Sequence, residues 1–167
     1  MLLTPFDEFP QSARVWVYGA DRDLGEQARS TLLGEVDNYL TQWTAHGVPL
    51  SAARDWSDDR FLTIAVDQNR AGASGCSIDG LFRALKSLEP QLGATIVTSG
   101  LIFFRDADGH ICSVTRDKFS ELGAAGTVDG NTQVFDPSVT TLREWRSRFR
   151  SRAADSWHAS LLKAHAE

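Results

Sequence analysis

FLTIAVD, residues 61–67, is the feature that most constrains what this chain can fold into. A short run that is apolar at nearly every position predicts a strong central strand of a sheet. RVWVYGA (14–20) alternates Val15 and Val17 with Trp16 and Tyr18 and predicts a second strand. Asp23 with Glu26 reads as a capping box. Leu24, Ala28, Leu32, Val36, Leu40 and Trp43 then recur at spacings of three and four, the buried face of a helix. Gly47 and Pro49 are expected to end that helix, which puts His46 in its last turn. Ser51 to Trp56 predicts a weaker strand, turned at Ser57, Asp58 and Asp59. Ile78, Leu81, Phe82, Leu85 and Leu88 stripe a second helix that Pro90 and Gly93 should end.

TIVTSGLIFFR (95–105) and HICSVTR (110–116) flank DADG, a hairpin signal. The order β-α-β-β-α-β is that of an α+β, ferredoxin-like sandwich. The 167 residues predict one domain, with a core over about 12–116 and an extension over about 117–167. The extension carries a polar, glycine-rich stretch, ELGAAGTVDGNTQ. It then adds a strand and one or two helices. Asp136 and Pro137 suit a helix start. Val139, Leu142, Trp145 and Phe149 form a stripe, and Trp157, Leu161 and Leu162 mark a last short helix.

Composition narrows the function classes. A net charge of −5 argues against a nucleic-acid coat protein. No apolar run approaches the ~18–20 residues of a membrane helix. MLLTPFDEFP lacks the basic and apolar regions of a secretory signal, so a cytoplasmic protein is expected, with Cys76 and Cys112 both reduced thiols.

The loop between FLTIAVD and the second helix, NRAGASGCSIDG (69–80), is where chemistry is expected. Right-handed crossovers bring its turn to the same sheet edge as WTAHG (43–47), with Arg14 at the foot of the first strand. The candidate catalytic residues are Cys76, His46 and Asp79, with Asp67 nearby; the candidate ligand-binding residues are Arg14, Trp43, Ser74, Gly75 and Ser77. Three chemistries compete. A phosphate loop of the G-x-x-x-x-G-K-[ST] kind fails, because Gly72 and Gly75 stand too close and Cys76 replaces the lysine. An anion site needs only helix-start N–H groups, serine hydroxyls and the charge of Arg14, although Asp79 in the first turn opposes an anion. A thiol site uses the same field, which favours thiolate, with His46 as base and Asp79 or Asp67 as its orienter. The plain alternatives are a serine-capped helix, a small cysteine plug, a helix-end histidine and a core tryptophan.

No metal site is expected, since Cys76, Cys112, His46, His110, His158 and His165 show no paired ligand spacing. No cofactor is implied. REWRSRFRSR (143–152) is the one basic cluster: Arg143, Arg146, Arg148, Arg150 and Arg152. It supports an alternative function, a non-catalytic scaffold or partner-binding protein, with a homodimer through a sheet edge as one form of it. The first function is a small-molecule protein or enzyme that holds an anionic ligand between WTAHG and GASGCSID, with Cys76 a reactive thiol.

RVWVY, WTAHGVPL, FLTIAVD and GASGCSID together resemble a family of small uncharacterised bacterial proteins, some of which carry the label "ABC transporter ATPase". The resemblance covers roughly residues 4–90, and the WTAHG and SGCSID pair is its most specific part. It implies a bacterial cytoplasmic protein and transfers no catalytic residue.

Overall fold

The structure is a computed structural model that describes residues 5–69 and 71–163. The first residues of the N-terminus read above for a signal, Arg70 of the glycine loop and His165 lie outside the described residues. The architecture is α+β, with helices and antiparallel sheets. The chain divides into two compact units: Met1–Thr98 with Ser138–Trp145, and Ser99–Pro137 with Arg146–Glu167. The first boundary between them falls after Thr98.

The first unit is built on a three-stranded antiparallel sheet. Its strands are β1 (Arg14–Gly19), which precedes helix α1 (Glu26–Gln42), a small hairpin of β2 (Thr44–Ala45) and β3 (Val48–Pro49), then β4 (Ala52–Ser57) and β5 (Phe61–Val66); helix α2 (Gly75–Leu92) follows. β5 lies between β1 and β4, and all six of its residues are buried. This is the central strand that FLTIAVD demands. Leu62, Ile64 and Val66 of β5 share a core with Leu32, Val36 and Leu40 of α1 and Leu81 and Leu85 of α2. The turn from β4 into β5 holds Asp58 and Asp59 at φ of 57° and 55°, a left-handed conformation that short polar side chains tolerate.

Several local expectations are corrected. Gly25, not Asp23, precedes the first turn of α1, and no side chain caps it. Asp23 is drawn away to the buried Arg60, whose Nε lies 2.8 Å from it. α1 stops at Gln42, one turn earlier than Gly47 and Pro49 suggested, because Trp43 is extended and the β2–β3 hairpin begins. Pro90 does not end α2; it sits within the last turn, and Gly93 at φ 66° ends the helix. The 95–105 stretch is not one strand. Gly100 at φ 73° breaks it, and only Ile102–Arg105 is extended in a ladder. The ferredoxin-like sheet is therefore not completed: no strand from 95–105 joins β1. Thr98 only donates its hydroxyl to the Gly19 carbonyl, while Val15 N–H reaches Thr140 across the other edge of β1.

In the second unit, β6 (Ile102–Arg105) and β7 (Ile111–Val114) form the expected hairpin, with Gly109 in its DADG turn at φ 86°. Helix α3 (Arg116–Ala124) follows, then β8 (Gln133–Phe135), helix α4 (Leu142–Arg148), which begins in the first unit, β9 (Arg150–Arg152) and the short α5 (Ala159–Lys163). The sheet order is β7-β6-β8-β9. α3 falls partly in the stretch read as polar and glycine-rich; Thr115 caps it and Phe119 is fully buried. Asp136 starts no helix. It is buried, and Arg148 donates to its carboxylate at 2.6 Å.

His158 is completely buried in this unit, stacked on Trp157 with ring centroids 4.0 Å apart and edge-on to Phe119. Its Nδ1 lies 2.6 Å from the Ser156 hydroxyl, and its Nε2 has no partner among the described residues. Burial pulls its pKa down from 6.5 to about 4; the Asp136 carboxylate opposes that shift and the Arg116 guanidinium assists it. The unfolded chain then binds more protons than the folded one between those values. Stability is full above pH 6.5 and falls as pH drops toward about 4. The loss expected is on the order of 3 kcal/mol. Thermal unfolding followed against pH should show this slope in the parent protein and a flatter one in His158→Phe; equal slopes would contradict it.

Candidate functional site

Sequence places WTAHG and GASGCSID at one edge, and the structure brings them to one cavity. The cavity, about 410 Å³, lies in the first unit and opens to solvent. That volume is in the range that takes small ligands. Trp43 and His46 line it from one segment; Ser74, Cys76 and Ser77 line it from the other. Tyr39 and Gln42 at the end of α1, and Thr44 of β2, complete the wall.

One buried hydrogen bond holds the two sides together. The Trp43 indole N–H donates to the Ser77 carbonyl at 3.0 Å. Trp43 is thus both core and wall, 4 % exposed. His46 is not at a helix end. It occupies the first position of the two-residue turn between β2 and β3, at φ 52°, with Gly47 at φ 80°. Two successive left-handed residues match the twist of a two-residue hairpin. This lifts His46 onto an exposed tip beside the cavity.

The α2 start is a reciprocal cap. Ser74 Oγ accepts from the Ser77 N–H at 3.1 Å, and Ser77 Oγ accepts from the Ser74 N–H at 2.8 Å. The Ser77 hydroxyl also donates to the Ser74 carbonyl, so it has no proton left for a ligand. The Ser74 hydroxyl proton, by contrast, has no acceptor among the described residues. Gly75 and Cys76 occupy the first two helical positions, where N–H groups have no intrahelical partner. Cys76 is exposed.

Three expected members are elsewhere. Arg14 is outside the wall; its guanidinium lies over Trp16, 5.2 Å from the ring centroid. Asp79 is exposed on the second turn of α2 and does not line the cavity. Asp67 is also outside, with its carboxylate turned onto the Asn69 N–H at 3.0 Å. Gly75 stands between two wall residues without lining the cavity itself.

Tyr39, Gln42 and Thr44 escaped the sequence reading. Tyr39 had a signal: it stands four residues before Trp43, hence on the same helix face. Its ring packs 6.1 Å from that of Trp43. Its hydroxyl lies where Gly80 leaves room, only 2.8 Å from the place a Gly80 Cβ would occupy. Burial raises the Tyr39 pKa, with the Arg83 guanidinium opposing, so the phenol stays protonated.

Two further clusters lie outside this cavity. Asp106, Asp108 and His110 gather at the β6–β7 turn. There Asp106 accepts from the Asp108 and His110 N–H groups, which hold its carboxyl below the usual range, and from the Cys112 thiol at 3.6 Å. The arginine cluster is divided between α4 and β9. Arg148 pairs with Asp136 and Arg152 with Asp155.

Two measurements test this geometry. Ser74→Ala should cost about 1 kcal/mol in urea unfolding through loss of the helix cap; an unchanged midpoint would contradict the reciprocal cap. Iodoacetamide should modify exposed Cys76 roughly tenfold faster than half-buried, hydrogen-bonded Cys112; the reverse order, read by peptide mass, would contradict the exposed thiol. A comparison of the chain with protein-family models, with curated proteins and with solved structures finds no match.

Proposed function

We propose that the first unit binds a small anionic molecule in the cavity between the β2–β3 hairpin and the start of α2. The observation that carries this reading is the chemistry of the wall: a helix N-terminus and no carboxylate. Among the residues that line the cavity none is aspartate or glutamate, and His46 is the one that can carry positive charge. The helix dipole and unpaired first-turn N–H groups favour an oxyanion there. The Ser74 hydroxyl and the protonated Tyr39 phenol add neutral donors.

Binding is favoured over nucleophilic catalysis. A thiol enzyme needs its base held by an orienting group. Cys76 and His46 share the cavity, but no hydrogen bond joins their side chains, and neither Asp79 nor Asp67 reaches the wall. Cys76 then serves as a small polar contact and as a reporter of occupancy. The arginine-cluster alternative is disfavoured by the ion pairs that engage Arg148 and Arg152. The bacterial, cytoplasmic setting implied by the family resemblance is compatible with a small metabolite as ligand.

The test is protection of the thiol. In a Cys112→Ser background, inorganic phosphate at constant ionic strength should slow alkylation of Cys76 saturably. An alkylation rate indifferent to phosphate, up to tens of millimolar, would overturn the proposal.

A further inference from the structure

We propose that the tip of the β6–β7 hairpin binds a zinc-class divalent cation, held by Asp106, Asp108, His110 and Cys112. This site lies in the second unit and shares no residue with the cavity of the first. The four side chains occupy alternate positions of DADGHIC, residues 106–112. One ligand atom from each of Asp106, Asp108 and His110 falls within 4.8 Å of the other two. The Cys112 thiol joins them through Asp106, its Sγ 3.6 Å from Oδ2. Ile111 is buried between His110 and Cys112, and strand alternation turns those two to the opposite face. The spacing of cysteines and histidines conceals the site, because two of its four donors are aspartates.

The donor set selects the cation. Magnesium and calcium take oxygen ligands and gain nothing from an imidazole or a thiol. One nitrogen, one sulfur and two carboxylates suit zinc, which takes four ligands tetrahedrally. Bonds of about 2.0–2.3 Å put the donors around one zinc roughly 3.5 Å apart. Asp106 and Cys112 already stand at that separation. Asp108 and His110 are exposed, so both close on the ion by side-chain rotation. Asp106 is the fixed member. Its Oδ1 accepts from the Asp108 and His110 N–H groups, each at 2.9 Å, while Oδ2 faces the thiol. The thiol proton passes to solvent when the cation takes its place. Four protein ligands leave no open position, so the ion is structural, a clasp across the hairpin turn.

The test uses Co²⁺ alone as the probe, titrated into the full chain carrying Cys76→Ser, which leaves Cys112 the sole thiol. Cobalt bound to a thiolate gives a near-ultraviolet charge-transfer band, and tetrahedral cobalt gives strong visible bands. Both should saturate at one equivalent, and Zn²⁺ should bleach both by displacement. His110→Ala, a change at an exposed side chain, should weaken binding about tenfold or more. Adding Cys112→Ser should abolish the charge-transfer band and leave weaker binding in the visible. The absence of any saturable band would overturn the proposal. So would an affinity unchanged in both His110→Ala and Asp108→Asn, or displacement by Mg²⁺ as readily as by Zn²⁺. Visible bands that saturate without charge transfer would remove Cys112 from the ligands and overturn the four-ligand site.

Discussion

The hydrogen bond from the Trp43 indole to the Ser77 carbonyl is the contact on which the site depends. A buried indole N–H without an acceptor is costly, and at the end of α1 the Ser77 carbonyl supplies the acceptor. Ser77 closes the first turn of α2, and its side chain is already committed to the helix cap. The bond therefore ties a rigid helix start to the residue from which the β2–β3 hairpin departs. His46 is carried to its place by the geometry of that hairpin rather than by any contact of its own. The hairpin is closed at its base by the Leu50 N–H, which donates to the Trp43 carbonyl at 3.0 Å. One residue thus anchors three elements, and the cavity is the space left between them.

Much of the first unit was legible because its signals are periodic. FLTIAVD reads as a central strand, and the stripes from Leu32 to Leu40 and from Leu81 to Leu85 find one another in a single core. What failed was punctuation. Gly47 reads equally as a helix stop and as a hairpin residue, and the choice is made by Trp43, whose indole bond to another element sequence does not display. Asp23 could cap α1 or pair with an arginine; the buried Arg60, 37 positions away, decides it. The 95–105 stretch has strand composition throughout, but Gly100 in the left-handed region divides it, and β6 pairs with β7 and β8 instead of β1.

The site was legible as a meeting of two segments, not as a set of roles. Right-handed crossover from β1 through α1 was enough to bring WTAHG and GASGCSID to one edge. It could not say which way Arg14, Asp67 or Asp79 would turn. Their removal from the wall changes the chemistry from a cysteine held in a charged constellation to a neutral, donor-rich cleft at a helix start. Tyr39 shows why the rest was hidden: its hydroxyl rests where Gly80, on another helix, has no side chain.

The central claim is that an oxyanion occupies the start of α2. Backbone amide resonances of ¹⁵N-labelled protein, followed during titration with inorganic phosphate, test it most directly. Saturable shifts are expected at Gly75 and Cys76, with smaller ones at Thr44 and His46 and none at Arg148 or Arg152. Shifts confined to the arginine segment, or spread without saturation over the surface, would contradict it.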